Sequence, residues 1–378
     1  MLQKRYDLLY KGTTILLLAF ILFLNVCNLL HRDRTYSENE NRMLAQKPHY
    51  SYENLVSGKY MTESENYITD QFILRDQWIR IKFLTDKLLG KKESNGVYIG
   101  KKGYLFEVPE KPVDAYVDKN LTAIKAFAKN NPDLNMVMTL VPNASTVCTQ
   151  YLPNHAPVRN QAQDILRVQT SLKDSLEFVD ITDALKEHKD EPIYYKTDHH
   201  WTSLGAKYAY LKLQKYIGAG AAGEEFDVYP VTAGFVGTLA SKVGYHAQKD
   251  FIELYVSRNG NMDYLVDYVG EKKNASIYSS EALEQKDKYE VFFGGNHARI
   301  DIQTQNKGGN LLILKDSYAN CFVQFLLPYY RSITIVDPRY YMDNLNQLIA
   351  SNGITDVLFL YNVNTFMKDN SLADVLEG

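Results

Sequence analysis

From about residue 121 onward, short apolar runs alternate with segments of helical spacing. The apolar runs are typical of strands buried on both faces of a sheet, and they lie at 136–141, 178–181, 311–315, 333–336 and 357–360. The segments between them predict helices at 121–129, 161–172, 205–216, 318–326 and 341–351. This alternation predicts an α/β fold in which helices flank a parallel sheet.

Other patterns precede or interrupt this alternation. Apolar side chains at 53–89 recur at helical spacing, and the segment 97–107 predicts a β-hairpin with a Lys-Lys-Gly turn. Residues 220–310 carry short β-like runs at 263–269 and 289–293 around a polar stretch. We interpret this region as an insertion or a set of antiparallel edge strands.

The longest apolar run lies near the N-terminus. Thr13–Leu30 contains eighteen residues without a charge, which is just enough for a helix to cross a bilayer. Lys4, Arg5 and Lys11 precede this run and favour a cytoplasmic N-terminus with the body of the protein outside. A cleaved signal peptide is the alternative, but the run is long for one and no small-x-small site follows before His31. We expect an uncleaved, single-pass anchor in the cell membrane.

These patterns divide the chain into three predicted parts. Residues 1–31 form a cytoplasmic tail and a transmembrane anchor, and residues 32–94 form a polar stalk and a helical lead-in. Residues 95–378 form an extracytoplasmic α/β domain with a β-rich insertion around 220–310. A length of 378 residues suits one large α/β domain with such additions.

Composition narrows the classes of protein to consider. With 45% hydrophobic and 23% charged residues the chain is an ordinary globular protein, so wholesale disorder is excluded. The 42 basic and 45 acidic residues give a net charge of −3, so no basic field exists to attract nucleic acid. The 29 tyrosines suit either a surface that stacks on sugars or ordinary half-buried sheet positions, and composition leaves both open.

Three cysteines give little information. Cys27 lies inside the predicted anchor, and Val26 before it is bulkier than a lipoprotein site prefers. Cys148 and Cys321 could form one disulfide outside the cytoplasm or remain two buried thiols, and both alternatives stay open.

The densest polar cluster is the segment 195–202. In an extended segment, residues two apart share a face, so Asp198 and His200 would point together and His199 away. An aspartate beside a histidine fixes the tautomer of the ring and stabilises its protonated form, as a general base requires. A loop that caps the following helix is the alternative explanation.

Ser317 is the candidate nucleophile. It follows the buried strand at 311–315 and begins the predicted helix at 318–326, and ligand sites in parallel sheets gather at the carboxyl ends of strands. A helix N-terminus there would offer N–H groups to an oxyanion. Simple helix capping by Ser317 or Asp316 is the competing explanation.

Further polar residues follow other predicted strands. Besides the Ser317 N–H, the candidate donors to an oxyanion are Gly295 and Asn296 of the Gly-Gly-Asn run and Asn143. Arg339 follows another strand, where it would either position substrate or hold its loop by pairing with Asp337.

Metal sites are the other explanation for the histidines. Asp198-His199-His200 resembles the opening of a DHH phosphoesterase motif, but the additional aspartate-rich motifs of those enzymes are not evident. A zinc site from His199, His200 and either His246 or His297 would lack a helix-spaced HExxH. We therefore expect neither a metal nor a cofactor.

The string Asp198-His199-His200-Trp201 resembles the signature of the DHHW protein family, which is similar to the alginate O-acetyltransferase group of SGNH-hydrolase-like proteins. Similar blocks occur along nearly the whole segment after the anchor: SENENR at 37–42, SGKY at 57–60, DQFILRD at 70–76, NGVYIGKKGYLFE at 95–107, GFVGTLASKVG at 234–244, GGNH at 294–297, LKDSYAN at 314–320 and VDPRYY at 336–341. In the related acetyltransferases an Asp-x-His pair and a later Ser form a triad, which maps onto Asp198, His200 and Ser317. The implied fold is an SGNH-hydrolase-like parallel sheet flanked by helices.

One departure from ordinary SGNH hydrolases is clear. Their Gly-Asp-Ser block near the N-terminus is missing, and its counterpart is Lys315-Asp316-Ser317 near the C-terminus, after the Asp/His segment. The motif order is therefore permuted, and the oxyanion-hole residues of those hydrolases are not carried over.

The resemblance implies an extracytoplasmic O-acetyltransferase that modifies a cell-surface or secreted polysaccharide through an acetyl-Ser intermediate. A membrane-bound O-acyltransferase partner would deliver the acetyl donor, and Trp201 with tyrosines would hold the glycan. Two alternatives remain: a carbohydrate acetyl esterase with the same triad, and a non-catalytic subunit of a polysaccharide synthase complex.

Overall fold

The computed structural model describes residues 2–37, 42–218, 225–245, 247–258 and 263–378. Most of the SENENR block and the candidate metal ligand His246 lie outside the described residues. The chain divides into two compact units, one formed by Met1–Leu89 with Lys242–Gly244 and the other by Gly90–Ser241 with Tyr245–Gly378. The finer division into tail and anchor, stalk, and α/β domain with an insertion stays a prediction.

The first unit begins with one long apolar helix, α1 (Leu2–Leu30). Its segment Tyr6–Leu30 is long and apolar enough to cross a membrane, and none of it is buried within the protein. Twenty-five helical residues span about 38 Å, which exceeds the roughly 30 Å of a bilayer core. The helix is consistent with a single-pass membrane anchor.

The rest of this unit is helical, with one small strand pair. Its elements are β1 (Tyr36–Ser37), β2 (Arg42–Met43), α2 (Tyr52–Val56), α3 (Lys59–Gln71) and α4 (Arg75–Leu88). The helical region predicted at 53–89 is thus three helices, because Gly58 and Leu74 adopt left-handed backbone angles between them. The segment after the anchor is held against α3, since Asp70 accepts two hydrogen bonds from the Arg42 guanidinium and one from the Ala45 N–H.

The second unit contains an eight-stranded sheet and two smaller ones. Its strands are β3 (Glu93–Ser94), β4 (Val97–Ile99), β5 (Leu105–Glu107), β6 (Asn135–Val141), β7 (Glu177–Phe178), β8 (Phe226–Phe235), β9 (Asp250–Ser257), β10 (Tyr264–Tyr268), β11 (Lys272–Asn274), β12 (Arg299–Thr304), β13 (Asn310–Lys315), β14 (Ser332–Val336) and β15 (Asp356–Asn362). Its helices are α5 (Asp114–Asn130), α6 (Ala144–Val147), α7 (Gln161–Leu172), α8 (Thr182–Glu187), α9 (Ser203–Leu213), α10 (Thr238–Val243), α11 (Leu345–Asn352), α12 (Val363–Lys368) and α13 (Ser371–Glu377). The last two residues of α10, Lys242 and Val243, are assigned to the first unit.

The large sheet is mostly parallel, as predicted. Its strand order is β11-β10-β12-β14-β13-β15-β6-β7, in which β14 to β7 run parallel and β12, β10 and β11 extend one edge in antiparallel fashion. Antiparallel edge strands were therefore the right interpretation for part of 220–310. Strands β8 and β9 form a separate antiparallel ribbon.

Two apolar cores cover the faces of the sheet. Along β6, Val137 and Val141 pack into one core, whereas Met138 and Leu140 pack into the other. Helix α9 contributes to the first core and α5, α7 and α11 to the second. Burial on both faces explains why these strands are continuous apolar runs in the sequence.

Two predicted elements are wrong. The β-run predicted at 289–293 is instead a 3-10 turn at Lys288–Val291, because Asp287 accepts a hydrogen bond from the Tyr289 N–H and Phe293 then adopts a left-handed backbone. The helix predicted at 318–326 consists of two 3-10 turns, Ser317–Ala319 and Val323–Phe325.

The second of these errors has a clear physical cause. The segment 318–326 is buried on all sides and lacks the polar face of an ordinary surface helix. Side chains satisfy part of its backbone: Gln324 donates to the Cys321 carbonyl, and Asp316 accepts a hydrogen bond from the Tyr318 N–H. The expected helix dipole behind Ser317 is therefore absent.

Candidate active site

A hydrogen-bonded chain of three side chains lies at the carboxyl end of the parallel sheet. Ser317 follows β13, and its Oγ lies 2.7 Å from Nε2 of His200. The other ring nitrogen of His200, Nδ1, lies 2.6 Å from Oδ1 of Asp198. The geometry predicted from the sequence for these three residues is present, with His200 and not His199 facing Ser317.

The backbone at 195–200 and the direction of the His199 side chain differ from the prediction. The segment 195–200 is not an extended strand, because the Asp198 carboxylate folds back to accept a hydrogen bond from the His200 N–H. The His199 ring does not point away; its centroid lies 3.9 Å from that of His200. Its Nδ1 atom is hydrogen-bonded to the hydroxyl of Thr238 at 2.8 Å.

The segment that begins at Gly237 holds Asp198 in place. Oδ2 of Asp198 accepts hydrogen bonds from both the N–H and the hydroxyl of Thr238, at 2.8 and 2.9 Å. A Cβ atom on Gly237 would lie 2.2 Å from Cβ of Asp198, so only glycine fits there. Sequence reasoning gave neither residue a role, although both belong to the GFVGTLASKVG block.

The buried carboxylate of Asp250 holds the loop that carries Asp198 and His200. Asp250 accepts hydrogen bonds from the Lys196 N–H, the Thr197 N–H and the Thr197 hydroxyl. The Thr197 hydroxyl in turn accepts one from the Gly237 N–H at 3.0 Å. The loop that carries Asp198 and His200 and the segment that supports it are therefore joined by a continuous hydrogen-bond network.

Aromatic side chains fix the plane of the His200 ring. The Tyr289 ring stacks on it with centroids 4.0 Å apart and an angle of 13°, and the Tyr289 hydroxyl donates to the Ser317 carbonyl. Trp201 is completely buried, and its indole N–H donates to the Tyr318 carbonyl at 2.8 Å. The predicted glycan contact by Trp201 is therefore wrong. The sequence alone does not show whether a tryptophan is buried or exposed.

Electrostatics favour an ionised aspartate and a neutral histidine. Burial lowers the pKa of His200 to about 4, and the charge of His199 acts in the same direction against the attraction of Asp198. Burial alone would raise the pKa of Asp198, but the two histidine charges and the bonds from His200 and Thr238 hold it well below its usual range. A neutral imidazole with a free lone pair toward Ser317 is the form that accepts a proton.

Ser317 opens onto a cavity of about 310 Å³. Other side chains that line it include Glu107, His199, Arg339, Asn364 and Lys368. The backbone N–H of Ser317 has no acceptor within the part of the chain that the structure describes, so it can donate to an oxyanion.

Arg339 both pairs with Asp337 and faces this cavity. Its Nε and Nη2 atoms donate to the two oxygens of Asp337 at 2.9 and 2.7 Å, and Lys315 contacts the same carboxylate at 3.3 Å. Burial would raise the pKa of Asp337, but the bonds from Arg339 and the charge of Lys315 lower it. Both functions considered for Arg339 are thus compatible with its position.

The other predicted donors do not line the cavity. Asn143 is buried and exchanges hydrogen bonds with Gln161, which makes it part of the scaffold. Gly295 lies against Glu290, and the side-chain oxygen Oδ1 of Asn296 accepts a hydrogen bond from Lys315. The Gly-Gly-Asn run follows a 3-10 turn and not the predicted strand, but Asn296 still contacts Lys315 at the carboxyl end of β13.

The segment after β15 supplies residues that sequence reasoning missed. The Asn362 N–H donates to Asp316 at 2.9 Å and fixes the residue before Ser317. The Asn364 amide in the cavity accepts a hydrogen bond from Gln161 and donates one to Glu107. The only feature of the sequence that could have indicated Asn362 and Asn364 is their position directly after the predicted strand at 357–360.

The cluster Asp198, His199 and His200 could also be considered for a metal, because one ligand atom from each lies within 4.8 Å of the others. His200 already uses both ring nitrogens, one toward Asp198 and one toward Ser317. A metal bound there would have to displace these bonds.

Cys148 and Cys321 are separate buried thiols, and burial raises the pKa of each to about 12.

A family model of the DHHW protein matches residues 135–336, just over half of the chain, and contains all three members of the hydrogen-bonded chain. The chain belongs to the DHHW protein family. A comparison with curated proteins finds no match.

Solved structures resemble this DHHW protein over about three quarters of its length. A DHHW family protein from Eubacterium siraeum is 25% identical, with a TM-score of 0.64, over 75% of this chain and 96% of the other. Bacillus cereus PatB1 with a sulfonyl adduct is 20% identical, with a TM-score of 0.59, over 73% and 98%. The O-acetyltransferase domain of Pseudomonas putida AlgJ is 14% identical, with a TM-score of 0.46, over 75% and 99%. The predicted α/β fold class, a mostly parallel sheet flanked by helices, is confirmed.

Proposed function

We propose that this DHHW protein is an extracytoplasmic O-acetyltransferase that acetylates a cell-surface or secreted polysaccharide through an acetyl-Ser317 intermediate. The observation that carries the proposal is the bond between His200 Nε2 and Ser317 Oγ at the mouth of a cavity. A serine, a neutral histidine and an aspartate in this order form the arrangement that activates a hydroxyl for attack on a carbonyl.

In the first half-reaction, Ser317 Oγ attacks the carbonyl carbon of the acetyl donor while His200 Nε2 takes the hydroxyl proton. The tetrahedral intermediate then collapses, the bond to the leaving group breaks, and His200 returns the proton to that group. Asp198 keeps Nδ1 protonated and stabilises the imidazolium that forms. The Ser317 N–H donates to the oxyanion, and the nearby Arg339 cation favours negative charge in the cavity.

In the second half-reaction, a sugar hydroxyl attacks the acetyl-Ser carbonyl while His200 accepts its proton. Collapse of this intermediate breaks the bond to Ser317 Oγ, which recovers its proton from His200. Polar side chains at the cavity, such as Asn364 and Glu107, are suited to bind sugar hydroxyls. No step requires a metal or a cofactor.

The cellular setting is part of the proposal. With α1 as an uncleaved anchor, the catalytic unit lies outside the cytoplasm, and a membrane-bound O-acyltransferase partner delivers the acetyl group. Water in place of the sugar would make the same triad a carbohydrate acetyl esterase, and the experiment below separates the two activities.

The test uses a chromogenic acetyl ester as donor. Mass spectrometry of the quenched reaction should find one acetyl group on the peptide that contains Ser317, and Ser317→Ala should remove it. Because PatB1 was captured with a sulfonyl adduct, an aryl sulfonyl fluoride is a second probe of Ser317. Ser145→Ala is the control, since Ser145 is a buried serine that does not line the cavity.

An oligosaccharide acceptor then separates the activities. Acetylated sugar formed at the expense of free acetate identifies a transferase, whereas acetate release that ignores the acceptor identifies an esterase. An unmodified Ser317, together with normal polysaccharide acetylation in a Ser317→Ala strain, would leave only the non-catalytic subunit.

A further inference from the structure

Helix α4 carries apolar side chains on two opposite sides. Phe83, on one side, is buried. On the other side, a line of large apolar side chains is exposed, with spacings of four, three, three and four residues. This outer stripe consists of Leu74, Trp78, Ile81, Leu84 and Leu88, which are 57%, 37%, 52%, 53% and 88% exposed.

An exposed stripe of this kind is unusual for a helix that faces only water. A surface helix normally places polar residues opposite its buried face. Contiguous apolar surface on a protein commonly marks a site that meets another apolar phase. We therefore expect another apolar surface to cover the outer stripe.

The position of the stripe indicates which one. The N–H of Ile73, directly before the stripe, donates to Oδ1 of Asn28 at 3.0 Å. Asn28 lies in the last turn of α1, which ends at Leu30. The first residue of the stripe is therefore held beside the end of the apolar helix, at the level where a membrane-spanning α1 leaves the hydrocarbon.

The composition of α4 fits the same boundary. Trp78 belongs to the residue type that collects at membrane–water interfaces, and it occupies the turn nearest to this point. Arg80 and Lys87 are exposed beside the stripe, and Lys82, which is paired with Asp86, lies on its other flank. Basic side chains beside an apolar face are typical of helices that lie on anionic lipid surfaces.

We infer that the outer stripe of α4 is a membrane-docking surface that lies in the boundary between lipid headgroups and acyl chains. This inference rests on the proposed membrane anchor, and it is independent of the proposed chemistry. Docking of α4 adds a second membrane contact and restricts rotation of this unit about the single helix α1.

The chain contains a convenient reporter. It has two tryptophans, and Trp201 is completely buried, so Trp78 is the one that lipid can reach. The full chain is reconstituted into vesicles of phosphatidylcholine and phosphatidylglycerol with brominated acyl chains, which quench tryptophan on contact. We expect roughly half of the Trp78 emission to be lost, as for a side chain buried to the acyl boundary.

Variants make the measurement specific. Trp78→Phe reports Trp201 alone and should show no quenching. Ile81→Glu with Leu84→Glu should restore most of the Trp78 emission, because charged side chains leave the apolar boundary. Leu166→Glu is the matched control, since Leu166 is 59% exposed on α7, and quenching should not change.

Two results would overturn the inference. If brominated lipid leaves Trp78 unquenched while acrylamide quenches it, the stripe faces water; if neither reagent quenches it, protein covers the stripe, for example a second copy. Vesicle flotation in alkaline carbonate tests the anchor separately, and a chain that fails to float also has no membrane beside its stripe. The acetyl-Ser317 assay reports on the proposed chemistry independently.

Discussion

A Cβ atom placed on Gly237 would lie 2.2 Å from Cβ of Asp198 and 2.6 Å from its Oδ2. Two non-bonded carbon atoms cannot stay that close, so a side chain at 237 would displace the aspartate that is hydrogen-bonded to His200. The position of the hydrogen-bonded chain of Asp198, His200 and Ser317 thus depends on a glycine 39 residues after Asp198.

Gly237→Ala should lower turnover by about 100-fold, because a shift of about 1 Å in a catalytic group costs that much. The loss should appear in kcat with little change in KM. Gly234→Ala is the matched control, since its nearest neighbour, Thr232 Oγ1, lies at an ordinary 3.7 Å. Equal activities of the two variants would contradict the positioning argument.

Asp198→Asn should leave the fold intact and lower turnover by about 10³- to 10⁴-fold, because the amide neither stabilises the imidazolium nor fixes the correct tautomer. Ester hydrolysis measures the rate, and circular dichroism checks the fold. Combining this change with Ser317→Ala should add little to the loss from Ser317→Ala alone, because the three residues act as one unit. A variant that keeps a tenth of the activity would remove Asp198 from the mechanism.

The pH profile of kcat/KM should report the buried histidine. In the proposed mechanism neutral His200 is the base, and its pKa is lowered to about 4, so activity should persist below the usual pKa of a histidine and disappear as pH falls through about 4. The nearby His199 charge contributes to this lowering, so His199→Asn should move the acid limb to higher pH. A limb at the ordinary histidine value in the unchanged protein would contradict the neutral, buried base.

Asp337→Ala should destabilise the protein by about 3–5 kcal/mol, because it leaves Lys315 buried without its counter-charge. The midpoint of urea denaturation measures this loss. Asp374→Ala breaks the exposed contact with Lys119 and should leave the midpoint nearly unchanged. Similar midpoints for the two variants would show that the fold does not need Asp337 to balance the charges of Lys315 and Arg339.

The sequence predicts the central strands well because burial on both faces leaves an unmistakable apolar run. The prediction fails at 318–326. This segment has the apolar composition of a helix, but it is buried on all sides and its side chains hydrogen-bond to its backbone, so it forms two 3-10 turns. Trp201 shows the same limit for the site, since the identity of an aromatic residue does not reveal its exposure. The support of Asp198 by Thr238 is a tertiary contact across 40 residues, and no local pattern encodes it.

The position of β15 has a consequence for how the chain assembles. Strand β15 is synthesised after both β13 and β6 and lies between them, so each of these strands lacks one neighbour until residues 356–362 arrive. Until then, β6 with β7 and β13 with β14 would be two sheet fragments with open edges, the form most prone to mispairing. A chain exported across a membrane from its N-terminus would hold these edges apart for most of its passage. We therefore expect the yield of folded protein to depend on chaperones that shield unpaired strand edges, and truncations before Asp356 to be cleared by proteolysis.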